Sequence, residues 1–415
     1  MKKRLYIGLL LGLTIIFNGC SEKKDTKNNL NNEISFMIPD WGVPPQEMLD
    51  EFQKESGIKV NVETVSWDDM RNKIAIAASG KKAAADVFEV DWSWIGEFNS
   101  ANWLEPLDVK EEDIKDIPSL DTFIVNGKVL AIPYANDFRI AYYNKDIYSK
   151  AGLEEPKTWD DVVMNMKILK EKNILKYPYT FPLNANEGTT TSFIWLTYLR
   201  DGKVFNEDGT LNRENALESL RFIDEMVKSQ MINPANLTMS AIDTYRELLS
   251  KDSGFMVGPT SFIARAVDPK QSKVIGEIEV ILPPGKDGKA TQTMALTEAV
   301  GVSSLSKNKE AAKKFVEWYT SKNSQRAFFK EMSTIPTRTS VLTEVIDAGE
   351  IKNSGAMKET SLLIKSPFPT GVPAYYAEMS NAIYNTINKM ASGNITPELA
   401  LEEIDKKIKE LVKNN

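Results

Sequence analysis

No histidine occurs anywhere in the 415 residues, and cysteine occurs once, at Cys20. The first absence removes a Ser-His-Asp or Cys-His catalytic centre and every His-ligated zinc or iron site. The second removes an internal disulfide, because a lone thiol has no partner within the chain. An enzyme of this composition is left with paired carboxylates, a Ser-Lys arrangement or an oxygen-ligated metal. Basic clusters are lacking too. Lys and Arg number 51 against 58 Asp and Glu, a formal net charge of −7, which argues against nucleic acid and anionic lipid headgroups as partners. Beyond the first twenty residues there is no second long apolar run to read as a membrane span.

What the chain does have starts at Met1. Met1-Lys2-Lys3-Arg4 is basic, Leu5 to Phe17 is almost uninterruptedly apolar, and Asn18-Gly19-Cys20 closes the run. That order reads as an export signal, too short for a comfortable span. The closing Gly19-Cys20 resembles the lipobox of bacterial lipoproteins, in which the cysteine becomes the lipidated N-terminus after cleavage. The alternative is a plain secretory signal. The expectation is a signal peptide over 1–19, lipidation at Cys20 and a polar tether over 20–32. The mature protein is then extracytoplasmic, on the cell surface or in the periplasm, and anchored to a bacterial membrane.

Hydrophobic residues make up 42% of the chain, and its length exceeds what one core usually supports, which favours two lobes. Ile34 to Ile38 reads as a strand. Pro44-Pro45 opens a helix with Met48, Leu49 and Phe52 on one face and Gly57 as its stop. Lys59 to Val65 alternates as a half-buried strand, Trp67 to Ser79 reads as a helix, and Asp86 to Val90 as a third strand. Strand–helix–strand–helix–strand implies an α/β fold with a mainly parallel sheet. Thr158-Trp159-Asp160-Asp161 is a capping-box start to a helix through Lys172. Leu220, Ile223 and Val227 mark one helical face, and Ala312, Phe315, Val316 and Tyr319 mark another. Thr396-Pro397 opens a last helix that buries Ala400, Ile404, Ile408 and Leu411.

Several segments in this order resemble family-1 extracellular solute-binding proteins, the sugar-binding components of ABC importers. They are Ala85-Asp86-Val87-Phe88-Glu89-Val90-Asp91, Trp103-Leu104-Glu105-Pro106-Leu107 and Ala131-Ile132-Pro133-Tyr134. Ala141-Tyr142-Tyr143-Asn144-Lys145-Asp146, Pro156-Lys157-Thr158-Trp159-Asp160-Asp161 and Gly254-Phe255-Met256-Val257-Gly258-Pro259 follow. Ser306 to Ala312 and Ile335-Pro336-Thr337-Arg338 complete the set. The resemblance implies a two-lobe, periplasmic-binding-protein-like fold with a ligand cleft at the hinge. The lobes would be 33–138 plus 299–340 and 139–298 plus 341–415. It also implies a monomer that captures a small-molecule solute, a sugar, and delivers it to ABC permease subunits without cofactor, metal or catalysis.

A sugar offers apolar C–H faces and a rim of hydroxyls, so its site needs aromatic platforms beside paired hydrogen-bonding groups. In open α/β sheets such sites lie at the carboxyl ends of strands. Asp40-Trp41 follows the first strand and Asp91-Trp92 the third, each pairing an acceptor with a ring. The alternative for Trp41 and Trp92 is capping of the sheet edge. Asp137 and Arg139 flank Phe138 at the first crossing between lobes, where they contact ligand or pair with one another. Trp195 is cleft lining or helix core. Phe262 follows Gly258-Pro259, where the family places an aromatic lid. Glu298 precedes Ala299-Val300-Gly301 at the second crossing, and Arg338 lies near the third. Of the two tyrosines opening the penultimate helix, Tyr375 is assigned to the cleft and Tyr376 to packing. Trp67, Trp94, Trp103, Trp159 and Trp318 are assigned to cores and helix starts.

Two rival readings remain from the residues. A polyamine or other small solute would suit the acidic residues in the same fold. A secreted glycosidase would use two carboxylates among Asp91, Asp137 and Glu298.

Overall fold

The computed structural model describes residues 33–351 and 354–415, apart from the side chain of Asp68. The leader, Cys20 and the tether lie outside the described residues. Ten strands occur among those described: β1 (Glu33–Ile38), β2 (Lys59–Thr64), β3 (Val87–Asp91), β4 (Ile124–Val125), β5 (Lys128–Val129), β6 (Ile132–Ala135), β7 (Arg139–Asn144), β8 (Phe255–Pro259), β9 (Ile278–Ile281) and β10 (Glu298–Val302).

β2, β1 and β3 pair in parallel, as the alternation of strands and helices implies. The sheets as a whole are mixed. β10 joins this sheet antiparallel to β3 and β6, giving the order β2-β1-β3-β10-β6. The second sheet, β8-β7-β9, is antiparallel throughout. β10 arrives from far along the chain and is added beside β3, so nothing in the local pattern of the first ninety residues could set its direction.

Local chemistry sets the element ends. The helix Gln46–Ser56 stops at Gly57, whose φ of +73° is the left-handed region that glycine enters without steric cost. Trp67–Ser79 starts where the Ser66 hydroxyl accepts from the Asp69 backbone N–H. Thr158 and Asp161 form the reciprocal cap of Trp159–Glu171. Thr396 caps Pro397–Asn414.

Packing follows the two sheets. Phe36 of β1 meets Phe315 and Tyr319 of the helix Lys309–Tyr319, with ring centroids 4.9 and 5.2 Å apart. Phe138, Ile140 and Tyr142 share a buried cluster with Leu248 of Ala241–Leu249 and with Leu342 and Val345 of Thr339–Asp347. The helices Glu187–Asp201, Arg213–Lys228, Tyr376–Ala391 and Pro397–Asn414 pack on one another. The chain passes from the first sheet to the second through Asn136, Asp137 and Phe138, and returns from β9 to β10. The carboxyl end of β3 meets the helical half of the molecule, where Trp92 packs on Tyr376 of Tyr376–Ala391.

Candidate ligand-binding site

Asp40-Trp41-Gly42 forms a single 3-10 turn just after β1. Trp41 is 46% exposed, and its Nε1 donates to Glu298 Oε2 at 2.8 Å. Glu298, the first residue of β10, stands opposite Asp91 in the β10–β3 ladder. One hydrogen bond therefore ties the end of β1 to the end of β10 and leaves a ring face open.

Asp91 ends β3 and is buried. Its Oδ1 accepts from the Ser93 backbone N–H at 2.8 Å and from the Ser93 hydroxyl at 2.5 Å. Its Oδ2 accepts from Trp67 Nε1 at 3.3 Å. Burial raises its proton affinity and pushes it to about 6, with the Ser93 and Trp67 donors opposing the shift. Trp67, assigned from the sequence to a helix start, is thus also a neighbour of the site. Its ring lies 5.2 Å from Trp94.

Trp92 is buried with the ring of Tyr376 edge-on at 5.0 Å and Phe368 at 6.2 Å. The Tyr376 hydroxyl donates to Glu187, the first residue of the helix Glu187–Asp201, and Ser380 donates to the same carboxylate. Burial drives Glu187 up to about 7 against those two donors. A cavity of ≈ 220 Å³ opens beside this cluster, lined among others by Trp67, Arg71, Ser93, Trp94, Glu187 and Tyr376. A larger, open depression of ≈ 760 Å³ lies around Glu33, Lys59 and Asp86, at the amino ends of the strands, which is the wrong end of an α/β sheet for a ligand.

Beneath Glu298 sits Glu89, fully buried on β3. The Tyr134 hydroxyl lies 2.8 Å from Glu89 Oε2 and 3.1 Å from Glu298 Oε2. One hydroxyl carries one proton, so it can donate to only one of the two carboxylates at a time. Burial and then the Glu298 charge push Glu89 well above the usual carboxylate range. Burial and then the Asp91 charge push Glu298 up as well.

Asp137 and Arg139 pair with one another, Arg139 Nη1 to Asp137 Oδ2 at 3.3 Å. Arg139 is buried at the passage into β7, while 37% of the Asp137 side chain stays exposed.

Two of the candidates, Trp195 and Phe262, lie in the core. Trp195 is fully buried, 6.1 Å from Trp159 and 5.7 Å from Phe181. Its helix is covered on every face from Thr189 to Leu199, so the ring is core. Phe262 is also buried, against Tyr245 at 5.6 Å and under the Arg265 guanidinium at 5.0 Å. Of the two tyrosines, Tyr376 is buried against Trp92 and Phe368, as the packing assignment expects, and Tyr375 is half-buried. Tyr375 precedes the first helical turn with its hydroxyl near Gly209, whereas Tyr376, about 100° further round the helix, meets Trp92 and Glu187. Arg338 is buried between Asp113 and Asp116, a structural role.

Glu89 and Glu187 were not singled out from the sequence. A lone acid inside the otherwise apolar run Val87-Phe88-Glu89-Val90 was the available signal for the first; the second carried none. Among the described residues no group of three or more His, Cys, Asp and Glu side chains is placed to hold a metal ion. The arrangement presents ring faces flanked by hydrogen-bond acceptors.

The sequence profile described as "Bacterial extracellular solute-binding protein" matches residues 39–326. The chain belongs to that family. It is the solute-binding component of an ABC transporter, a binding protein rather than an enzyme, so the glycosidase alternative falls away. Relatives in the family differ in the solute they are named for. The arabinooligosaccharide-binding protein of Bacillus subtilis is 23% identical over 328 residues, covering 75% of this chain and 74% of the relative. A Sinorhizobium fredii protein named "Probable amino-acid ABC transporter periplasmic-binding protein" is 24% identical over 381 residues, 88% of this chain and 85% of the relative. Among solved structures, the sugar-binding protein MalE from Xanthomonas citri superposes with a TM-score of 0.79 at 20% identity, covering 92% of this chain and 98% of that one. The fold is therefore the α/β periplasmic-binding-protein fold.

Proposed function

We propose that this solute-binding protein captures a carbohydrate, a mono- or oligosaccharide, and delivers it to a membrane permease by hinge closure. The two lobes would comprise 33–138 plus 299–340 and 139–298 plus 341–415. The observation that carries the reading is the joining of Trp41 and Trp67 to fixed acceptors at the carboxyl ends of the strands: Glu298 holds Trp41, and Asp91 holds Trp67. Ring faces suit the C–H faces of a sugar, and oriented carboxylates suit its hydroxyls. The names of the Bacillus subtilis relative and of the MalE neighbour support a saccharide. Contacts from both lobes would form only in the closed state, so ligand would favour closure.

The test is calorimetric titration of a saccharide panel against the wild type and three variants. Trp41→Ala and Trp92→Ala should each weaken binding by about 1–3 kcal/mol, roughly five- to 150-fold. Trp318→Ala is the contrast. Its ring packs on Phe52 and Phe315, on the helix Lys309–Tyr319, so it should lower stability and leave affinity intact. Wild-type affinity in both site variants would remove the proposed platform.

Anchoring is tested separately. If Cys20 is lipidated, Cys20→Ser should release the protein from the membrane fraction or leave its leader uncleaved. A processed product that stays membrane-bound would sink the anchor.

A further inference from the structure

An exposed ring makes a poor platform unless something fixes it. Trp41 is nearly half exposed, so packing alone does not hold its side chain. Two hydrogen bonds do. The Tyr319 hydroxyl donates to the Gly42 carbonyl at 2.6 Å and pins the main chain of the turn. The indole Nε1 donates to Glu298 Oε2 at 2.8 Å and sets the plane of the ring. The ring is therefore only as well fixed as the Glu298 carboxyl group.

Behind Glu298 the contacts run on into the core. The Tyr134 hydroxyl reaches Glu298 Oε2 at 3.1 Å and Glu89 Oε2 at 2.8 Å. The turn leaves room for it, since a Cβ on Gly42 would lie 2.8 Å from that hydroxyl and 2.5 Å from Ile38 Cγ1. Tyr134 is itself buried, with the Tyr319 ring edge-on at 5.2 Å. Proton counting decides the chemistry. Three contacts link Trp41, Glu298, Tyr134 and Glu89, and each needs one proton between its heavy atoms. The indole and the phenol supply one each, so the third sits on a carboxyl group. Glu89 is the one that suits it. It is fully buried, its Oε1 has no hydrogen-bond partner, and the groups that face it, Tyr134, Tyr319, Glu298 and Asp91, bring no positive charge. A carboxylate there would be an uncompensated buried charge, whereas a neutral acid leaves only one unpaired carbonyl oxygen. Glu298 is only half-buried and already accepts from the indole.

We propose that Glu89 is kept as a neutral carboxylic acid that donates to Tyr134, which in turn donates to Glu298, so that Glu89 and Tyr134 are positioning residues for the Trp41 ring. Burial, and after it the Glu298 charge, favours the protonated form of Glu89. The consequence is preorganisation, because a ring ordered before the solute arrives spares the cost of ordering it on binding. That consequence rests on the reading of Trp41 as a ligand platform; the proton chain does not.

Two measurements on the ligand-free full chain test it. Infrared difference spectra with isotopically labelled glutamate should show a protonated-carboxyl C=O band at neutral pH that Glu89→Gln removes. Nitrogen relaxation of the Trp41 indole, assigned by the loss of its signal in Trp41→Phe, should report a rigid side chain in the wild type. Tyr134→Phe should drop its order parameter below about 0.6, the range of a flexible group. Glu89→Gln should keep the indole ordered, since its amide still donates to Tyr134. A merely structural Tyr134 would lower Tm and leave the indole as rigid as before. The proposal is overturned if the carboxyl band is missing, if the indole is as ordered in Tyr134→Phe as in the wild type, or if it is as mobile in Glu89→Gln as in Tyr134→Phe. The platform reading fails separately, through wild-type affinity in Trp41→Ala.

Discussion

Gly96→Ala should weaken solute binding by roughly five- to 150-fold and leave the protein folded. Gly96 lies in the short helix Ile95–Ser100, just beyond Trp92. A Cβ added there would lie 2.1 Å from the Val372 carbonyl oxygen and 2.6 Å from the Pro373 carbonyl carbon. Both are backbone atoms, so no side chain can rotate aside. The segment they belong to leads into the helix that carries Tyr376, whose ring meets Trp92. Overpacking of this kind costs about 1–3 kcal/mol. If the contact forms only when the cleft shuts, that cost falls on the closed state alone and appears in full as lost affinity. Solution scattering supplies a second readout. Saturating ligand should shrink the wild type and shrink Gly96→Ala less at equal ligand concentration. A lower Tm with unchanged affinity would mean that the two segments stay in contact in both states, and closure at this point would be ruled out.

The parts of this molecule that could be read from sequence are those decided within a few residues. Gly57 ends the helix it was expected to end, the helix over Trp67–Ser79 spans the expected residues, and the Thr158–Asp161 cap forms. Asp91 and Trp41 stand at the strand ends where an α/β ligand site belongs. What could not be read depends on pairing between distant segments. Glu298 meets Asp91 because β10 runs antiparallel beside β3, a register that residues 298–302 do not encode by themselves. Trp67 reaches Asp91 only because the parallel strands β2 and β3 end at the same, carboxyl end of the sheet. Trp195 is different, since its helix did signal total burial. Thr189 to Leu199 contains no charged residue, and a helix without a polar face is buried all round. Tyr375 and Tyr376 were separable only by the phase of a helix whose start the sequence could not place to one residue.

The largest solvent-dependent effect expected is a loss of stability in the ligand-free protein as the pH rises from about 4 to about 7. Burial holds Asp91 near 6 and Glu187 near 7, above their ordinary values of 3.8 and 4.5. A carboxyl raised in the folded state binds its proton more tightly there than in the unfolded chain. Its contribution is therefore complete below the ordinary value and is lost as the pH climbs through the raised one. Each tenfold difference in proton affinity is worth ~1.4 kcal/mol, so the two groups together put on the order of 3–6 kcal/mol at stake across this window. Tm should fall by roughly 4–8 °C, as followed by calorimetry at fixed ionic strength. Glu187→Gln and Asp91→Asn remove one titrating group each, so each variant should show a shallower fall than the wild type. A slope that neither variant changes would mean that other groups set the pH response.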